Sequence, residues 1–481
     1  MAFRHGVSVF ETPTGVSAPT VATSTLQVIV GTAPINTAKD LSSINKPVLV
    51  YSKDEAIQAF GSSTDFEKYT LSEAIFVNFD LVAVAPLVLI NVLDPARHKK
   101  SETAEANVEN KVATINKEGI LLPNLVVKPS IAGDALIENQ DYVVSFDDKG
   151  HIAIAAIAGG AMASLTSVHV TYDVLDPTMV TNADIIGGTD VDTGTKKGLE
   201  LVNEVFPRYG LVPGQIIVPK YSSIPTIAAV LRAKSQTINS YFKAFTPLDV
   251  DTNTVKKYTD VTQWKNDNGY TGTKEVPLWP KGSMDGVQFH LSTLIGARIA
   301  KLSSENHDAP HVSPSNKSIP VNAAVLADGT QVALGPDEAE YLNSQGITTI
   351  LNFIAGHKIW GNRTGAFPFN TDVKDTFIST RMTHNWISNT IVLTAWTYLD
   401  DPTNRRLIDQ IVSTFNMWFN GLTTDGILLG GRVEYLANLN PPEQLASGKV
   451  VFKVYVAEPT PAEDLTFDIE VDLNYYNTLA E

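Results

Sequence analysis

The chain has no cysteine. Disulfides, thiol nucleophiles, iron–sulfur clusters and cysteine-held zinc are excluded together. Basic residues are scarce beside acids: 36 Lys and Arg stand against 52 Asp and Glu, a formal net charge of −16. A nucleic-acid partner calls for a basic excess or stripe, so none is expected. A long hydrophobic run is missing as well. The longest, residues 79–93, is interrupted by Asp80 and Pro86 and falls short of the roughly 20 residues that span a bilayer. No direct membrane insertion is expected. The N-terminus, MAFRHGVSVFETPTG, lacks the apolar stretch of a secretory signal. These absences point to a protein made in a cytoplasm and soluble there.

What is present is a globular composition. Apolar residues make up 43% and charged residues 18% of the chain, the balance of a folded protein. A length of 481 residues suggests about three domains, at roughly 150 residues each.

Periodicity and turn residues divide the chain. Residues 1–24 read as an extended arm in which Val7, Val9 and Phe10 carry the apolar character. Residues 25–96 read as the first part of an α/β core. Strands are expected at 26–33, 46–52 and 87–92. A helix begins at Ser52, whose spacing to Glu55 is that of a capping box, and stops at Gly61. A second helix is expected at 71–79. Residues 97–185 read as an inserted β-rich domain of short runs separated by turns. Residues 186–365 return to α/β patterning. A short helix ends before Pro207, then strand 214–220, helix 225–242 and a further strand make a βαβ unit. Residues 287–302 read as an amphipathic helix. Residues 366–463 hold two helices, 377–399 and 402–422, with Asp401 as N-cap of the second. Gly426, Gly430 and Gly431 mark turns before strand 449–457. The fold class is thus mixed α/β, or α+β, with several domains.

The search for site chemistry returns bland readings. His307 and His311 have i, i+4 spacing, but Pro310 lies between them and no Glu completes a zinc motif. Residues 249–260 resemble a calcium loop at their first acidic positions, yet position six is Thr254 and position twelve is Asp260. No phosphate-binding glycine loop and no nucleophile elbow is present. Trp386, Trp396, Trp418 and Phe419 stand at helical spacings, for which packing is the default. No catalytic residue, no metal site and no cofactor is nominated.

The cleanest pattern is the last. Leu465, Phe467, Ile469, Val471 and Leu473 alternate with Asp464, Thr466, Asp468, Glu470 and Asp472. Such a strand demands one buried face. Burying those five apolar side chains would contribute at most on the order of 7–15 kcal/mol. Residues 458–481 carry seven acids and no Lys or Arg. Two arrangements satisfy the pattern: a hairpin with strand 449–457, or addition to the sheet of a neighbouring molecule.

Several stretches form an ordered set. Residues 346–364, GITTILNFIAGHKIWGNRT, contain Gly346 and Ile347 of a strand that runs into a Trp360-Gly361-x-Arg363-Thr364 turn. Arg381 follows, then Trp418, the Gly426–Gly430 segment, Asn440-Pro441-Pro442 and Ser447-Gly448. Val456-Ala457-Glu458-Pro459 and Pro461-Ala462-Glu463 come last. His5-Gly6-Val7-Ser8-Val9-Phe10-Glu11 opens the chain, with no Pro between His and Gly. In this order the set resembles the sheath protein of contractile phage tails, shared with contractile bacteriocins and related injection machines.

The resemblance implies a structural protein and no enzyme. Subunits of that family stack as six-fold rings around a tail tube. Their N- and C-terminal arms join the sheets of neighbours, and contraction drives the tube through a target envelope. The implied partners are further copies of the chain, the tail tube protein, and baseplate and tail terminator proteins. The implied place is a virion tail or bacteriocin particle, assembled in the host bacterial cytoplasm. On this resemblance Val7, Val9 and Phe10 belong to the N-arm, and Phe467, Ile469, Val471 and Leu473 to a C-arm of residues 464–481. The 366–463 module faces the tube and the insert faces out. Arg405 and Arg406 either meet an acidic tube or form a solvated helix face. Gly346, Trp360, Gly361, Arg363 and Thr364 are structural. Two other readings remain: an α/β enzyme, which needs a pocket of converging titratable groups, and an adhesin acting through the β-rich insert.

Overall fold

The computed structural model describes residues 18–147 and 149–479. The N-arm candidates Val7, Val9 and Phe10 lie outside the described residues. The first elements are strand β1 (Gln27–Gly31), strand β2 (Pro47–Val50), helix α1 (Lys53–Phe60) and strand β3 (Leu87–Asn91). Helix α1 starts where Ser52 accepts the Glu55 N–H at 3.3 Å. Glu55 reaches past Ser52 to the N–H of Tyr51 at 2.8 Å, so the cap closes one residue further out. The helix expected at 71–79 is shorter, Thr70–Ile75. It widens into a π turn at Phe76–Val82, where the buried Asn78 bonds to the Ala74 carbonyl and the Gln27 amide.

Strands β4 (Lys99–Glu109), β5 (Val112–Ile115), β6 (Ile120–Lys128), β7 (Tyr142–Phe146), β8 (Ile152–Ala156) and β9 (Ser167–Leu175) follow. They form an antiparallel sheet in the order β6-β9-β4-β5-β8-β7 around a core of its own, which includes Ile120, Ile152, Ile154 and Val170. Strand β4, KKSETAEANVE, is polar apart from Ala104, Ala106 and Val108, which alternate onto the insert's core. It is a strand because β9 pairs with it from Lys99 to Asn107.

The chain then returns to the main layer with β10 (Gln215–Ile217), helix α2 (Pro225–Gln236), β11 (Thr246–Asp249), β12 (Glu275–Leu278) and helix α3 (Leu291–Glu305). The main sheet has the order β10-β1-β3-β2. Strand β1 runs parallel to both β10 and β3, and β2 runs antiparallel at the edge. Strands β1 and β3 are buried along their whole length, as central strands covered on both faces must be. A parallel bridge from Gln215 to Phe245 carries the sheet into β11 and β12. Another from Leu278 to Thr348 leads to the hairpin β13 (Thr349–Asn352) and β14 (His357–Trp360).

Three expectations change here. The short helix does not end before Pro207: Val205–Tyr209 includes it in the first turn, where a missing N–H costs nothing. Helix α2 stops at Gln236, six residues early, because Asn239 and Ser240 adopt positive φ and turn the chain. Residues 287–289 form a short strand before α3, which is buried nearly all round rather than amphipathic.

Helix α4 (Ile378–Ala395), helix α5 (Arg405–Thr424), β15 (Gly430–Tyr435) and β16 (Phe452–Ala457) complete the chain. Asn404, not Asp401, caps α5, its side-chain oxygen accepting the Leu407 N–H at 3.0 Å. Gly430 and Gly431 open β15 instead of marking a turn. The largest core joins distant segments, with Val28, Val88, Ile216, Ile227, Trp386 and Phe419 all in one cluster.

Candidate assembly interface

Two segments near the ends of the described chain, 20–22 and 458–463, are fastened, the first along α4 and the second to His384 of α4 and to Arg363. Ala22 donates its N–H to Thr390 Oγ1 at 3.1 Å, and its carbonyl accepts from Trp386 Nε1 at 2.9 Å. Thr20 donates to Thr394 Oγ1 at 3.1 Å. The chain thus emerges from the N-terminal residues along α4. Trp386 in turn meets Trp418 of α5 edge-on, with ring centroids 5.6 Å apart. Trp386, Trp418 and Phe419 are buried. Trp396 is exposed and rests against Tyr241.

Helix α5 buries Ile408, Phe415, Trp418, Phe419 and Leu422 on one face. Its other face shows Arg405, Arg406, Asp409 and Met417 to solvent. Arg405 pairs with Asp409 at 3.0 Å, one helical turn away, an exposed pair of small energetic weight. The hairpin β15–β16 lies on the buried face. Gly431 touches Phe419 so closely that a Cβ would sit 2.9 Å from Phe419 Cγ. Val433 is buried, with Phe452, Val454 and Val456 packed beside it. The other hairpin face carries Arg432, Glu434, Lys453 and Tyr455. Arg432 stacks on Tyr455 at 4.0 Å and pairs with Glu434 at 2.7 Å.

Residues 458–463 are clamped to their own subunit. Glu458 is bonded to His384 Nδ1 at 2.5 Å. The Arg363 guanidinium lies between the rings of Phe377 at 4.1 Å and Phe367 at 4.5 Å. Its Nε donates to Glu463 Oε1 at 3.0 Å, and Nη2 makes the second arm of a bidentate pair. Arg363 and Glu463 come from two of the sequence stretches set apart above, and here they form one contact.

The turn that presents Arg363 is built by its neighbours. Trp360 ends β14 opposite Thr349. The Gly361 N–H donates to Ser315 Oγ at 3.0 Å. Thr364 is fully buried and donates to the Asp375 carbonyl at 2.5 Å. Gly346 has φ 65°, and a Cβ there would fall 2.5 Å from the Thr364 carbonyl oxygen. Beneath the turn, buried Arg381 pairs with Asp375 at 2.8 Å. Burial opposes ionisation of Asp375, but Arg381 and Lys374 outweigh it and hold the carboxyl below its usual range.

Beyond Glu463 the chain leaves the surface. Leu465, Phe467, Ile469, Val471 and Leu473 are 68–90% exposed. Residues 464–472 pair with no strand, and Leu473–Leu479 curls into a 3-10 turn. The hairpin of strand 449–457 with this segment does not form; β16 pairs with β15, while residues 464–472 pair with no strand.

The remaining candidates carry no chemistry. A cleft of about 970 Å³ is lined by Glu67, Glu73, Lys220, Asp249, Lys281 and His290, among others. Its charged groups already satisfy one another. Glu67 lies between Lys220 and Lys281, and Glu73 bonds to His290 at 2.6 Å. Asp249 accepts from Ser222, Ser292 Oγ and the Ser292 N–H. That places the first residue of the calcium-like stretch in the core as a support for α3. No group of His, Asp and Glu among the described residues could hold a metal ion. No helix among them is long and apolar enough to cross a membrane.

Comparison with known proteins agrees with this geometry. No family model matches the chain. The tail sheath protein of Burkholderia phage BcepMu is 29% identical, over 99% of this chain and 98% of its own length. The major tail sheath protein of Serratia phage KSP20 is 25% identical, over 61% of this chain and 72% of its own. Among solved structures, the anti-feeding prophage helical sheath in its contracted state matches with TM-score 0.57 at 14% identity, covering 98% of this chain and all of that one. The sheath of an extracellular contractile injection system, also contracted, matches with TM-score 0.56 at 12% identity, covering 99% and 100%. These relatives are structural tail components, not enzymes. Over its whole length the chain is similar in sequence to a contractile phage tail sheath protein, and in fold to contracted sheaths.

Proposed function

We propose that the chain polymerises as six-fold helical rings around a tail tube and contracts to drive that tube through a target envelope. Copies are linked by exchanged terminal strands. One observation carries the reading: residues 464–473 alternate apolar with polar side chains, and the apolar ones stand 68–90% exposed beyond a root fixed at Glu458 and Glu463. A two-stranded hairpin such as β15–β16 is marginal alone and gains from added strands. Val7, Val9 and Phe10 supply the second exchanged strand. Main-chain hydrogen bonds, about 0.5–1.5 kcal/mol each, tolerate rotation between subunits while side-chain contacts repack. The energy for contraction resides in a metastable extended lattice, so no nucleotide or cofactor is required. Heterologous contacts along a screw axis give an open polymer.

The tube is met by the 366–463 module, with Arg405 and Arg406 on the solvent face of α5 as the contact candidates. The 97–185 domain points outward. The tail tube, baseplate and terminator proteins are the further partners, and assembly takes place in the host cytoplasm.

Negative-stain electron microscopy of the purified chain, alone and co-expressed with its neighbouring tail proteins, tests the reading. Hollow six-fold tubes are expected. Removing residues 464–481 should leave a folded monomer that forms none. Normal tubes from that truncation would defeat the arm assignment, and uniform monodisperse particles from the intact chain would defeat the sheath polymer itself.

A further inference from the structure

We propose that the turn of the β13–β14 hairpin, Phe353-Ile354-Ala355-Gly356, is an apolar knob that seats in an aromatic pocket of a second copy. The pocket lies between α1 and the antiparallel pair Lys281–Met284 and Val287–Phe289. The inference rests on the polymer reading above and adds a contact that uses neither terminal arm.

The knob breaks a local rule. Hairpin turns favour Gly, Pro, Asn, Asp and Ser, yet this one holds Gly356 alone of that set, and none of its side chains is polar. The chain closes through positive φ at Ala355 and Gly356. Phe353 and Ile354 are 65% and 68% exposed. The base of the hairpin is firm, because Ile350 and Ile359 both belong to a buried core cluster. Bridges from Thr348 to Leu278 and from Lys358 to Ser318 fix its direction. No main-chain group of residues 353–356 has a main-chain partner among the described residues. Two large apolar side chains side by side on a fixed projection, outside their own core, have the form of an interface anchor.

The pocket has the complementary form. It measures about 380 Å³, and its apolar lining includes Ile57, Ile75, Met284 and Val287. Phe66, Phe76 and Phe289 also line it as one aromatic cluster, in which Phe76 and Phe289 stack with centroids 5.9 Å apart. Ser72 is a further lining residue. It is 6% exposed, and its hydroxyl has no hydrogen-bond partner among the described residues. A buried hydroxyl left unpaired is costly, and the free peptide groups of an arriving turn can satisfy it.

Charge and placement select a second copy as the occupant. Lys358, beside the knob, gives its ammonium to the Asn316 amide oxygen at 3.0 Å, not to a carboxylate. Asp285, at the pocket, accepts from the Asn322 amide at 2.8 Å, and no cation pairs with it among the described residues. Copies of a chain with net charge −16 repel one another, so a contact that carries a free lysine toward a free carboxylate is favoured. A copy's knob does not fill its own pocket. The bridges above hold the hairpin, and no residue of 349–360 lines that pocket. A knob and a pocket at separate places on one chain repeat from copy to copy as a heterologous contact.

The absence of cysteine makes the test direct, since any disulfide reports introduced residues alone. Full-length Ile354→Cys chains are co-assembled with tagged Val287→Cys chains and oxidised, the tag separating mixed dimers from like pairs. Val287 lines the pocket and is 42% exposed. Phe369→Cys, at an exposed aromatic off the hairpin, replaces Ile354→Cys as the control. Mixed dimers are expected with Ile354→Cys and not with Phe369→Cys. No dimers from the first, or as many from the second, would overturn the contact. In a second measurement the pair Phe353→Ser and Ile354→Ser should raise the protein concentration needed for tubes about tenfold, with an unchanged thermal melt. Val287→Trp, which fills the pocket in place of the knob, should do the same. Normal assembly of both variants removes the knob and leaves the sheath polymer standing. Absence of tubes from the intact chain removes the polymer and this contact with it.

Discussion

Strand β1, QVIVG, and the terminal segment LTFDIEVDL both have strong strand chemistry, yet they lie at opposite extremes of the fold. Val28, Ile29 and Val30 are fully buried between β10 and β3. Phe467 and Ile469 are 83% and 90% exposed, with no strand beside them. Propensity is similar, so partner supply makes the difference. Strand β1 finds both neighbours within its own chain. The arm's own hairpin, β15–β16, lies beyond a root that is pinned to other elements. An apolar face left bare beyond a fixed root is an aggregation hazard when nothing covers it; on the arm-exchange proposal another copy covers it.

The comparison can be broken most sharply by the same change on both sides. Val88→Asp in β3 should bury an unpaired carboxylate and cost about 4 kcal/mol or more. Ile469→Asp should alter monomer stability by less than about 0.5 kcal/mol and still abolish tubes. Urea denaturation and electron microscopy of the two variants read both outcomes. Equal destabilisation would mean that the arm is packed within its own monomer.

Beneath the Arg363 turn, Asp375→Ala leaves the buried Arg381 without its carboxylate and should cost about 3–5 kcal/mol, measured by denaturant unfolding. The same pair gives a pH dependence. The folded pKa of Asp375 lies below its ordinary value, so its stabilisation is complete above the unfolded pKa of about 4 and is lost as pH falls through the folded value. Asp375→Asn should flatten the acid limb of the stability profile. An unaltered acid limb would assign that loss to other carboxylates.

A smaller effect is expected at the arm's root. Arg363→Ala removes a stacked cation and a bidentate pair, for about 1–2 kcal/mol. Its signature is faster hydrogen exchange over residues 458–463, with tubes that form less readily. Asn404→Ala should cost about 1 kcal/mol through loss of the α5 cap. Asp401→Ala should cost nothing comparable, and a thermal melt distinguishes the two.

Local signals were legible wherever the deciding contact is close in sequence. The start of α1 at Ser52 and its stop at Gly61 depend on residues within one turn. The cap of α5 was misplaced because Asp401 stands before Pro402, whereas the helix starts at Arg405 and the Asn404 oxygen accepts the Leu407 N–H. Helix α2 was read too long because Ile238 and Phe242 continue its apolar spacing while sitting in a buried turn. Strand β4 was missed for the opposite reason: its sequence is polar, and β9 supplies the ladder.

The amino-acid sequence by itself determined the exclusions, the fully apolar central strands and the two-faced arm, because composition and period-two alternation are properties of adjacent residues. Its ordered stretches also carried the resemblance to the sheath family. Only the tertiary structure decided that Arg363 holds Glu463 across 100 positions of sequence, and that the Asn416 side chain bonds both main-chain groups of Val433. Those contacts join residues far apart in the chain, and their geometry exists only after the core has set the elements side by side.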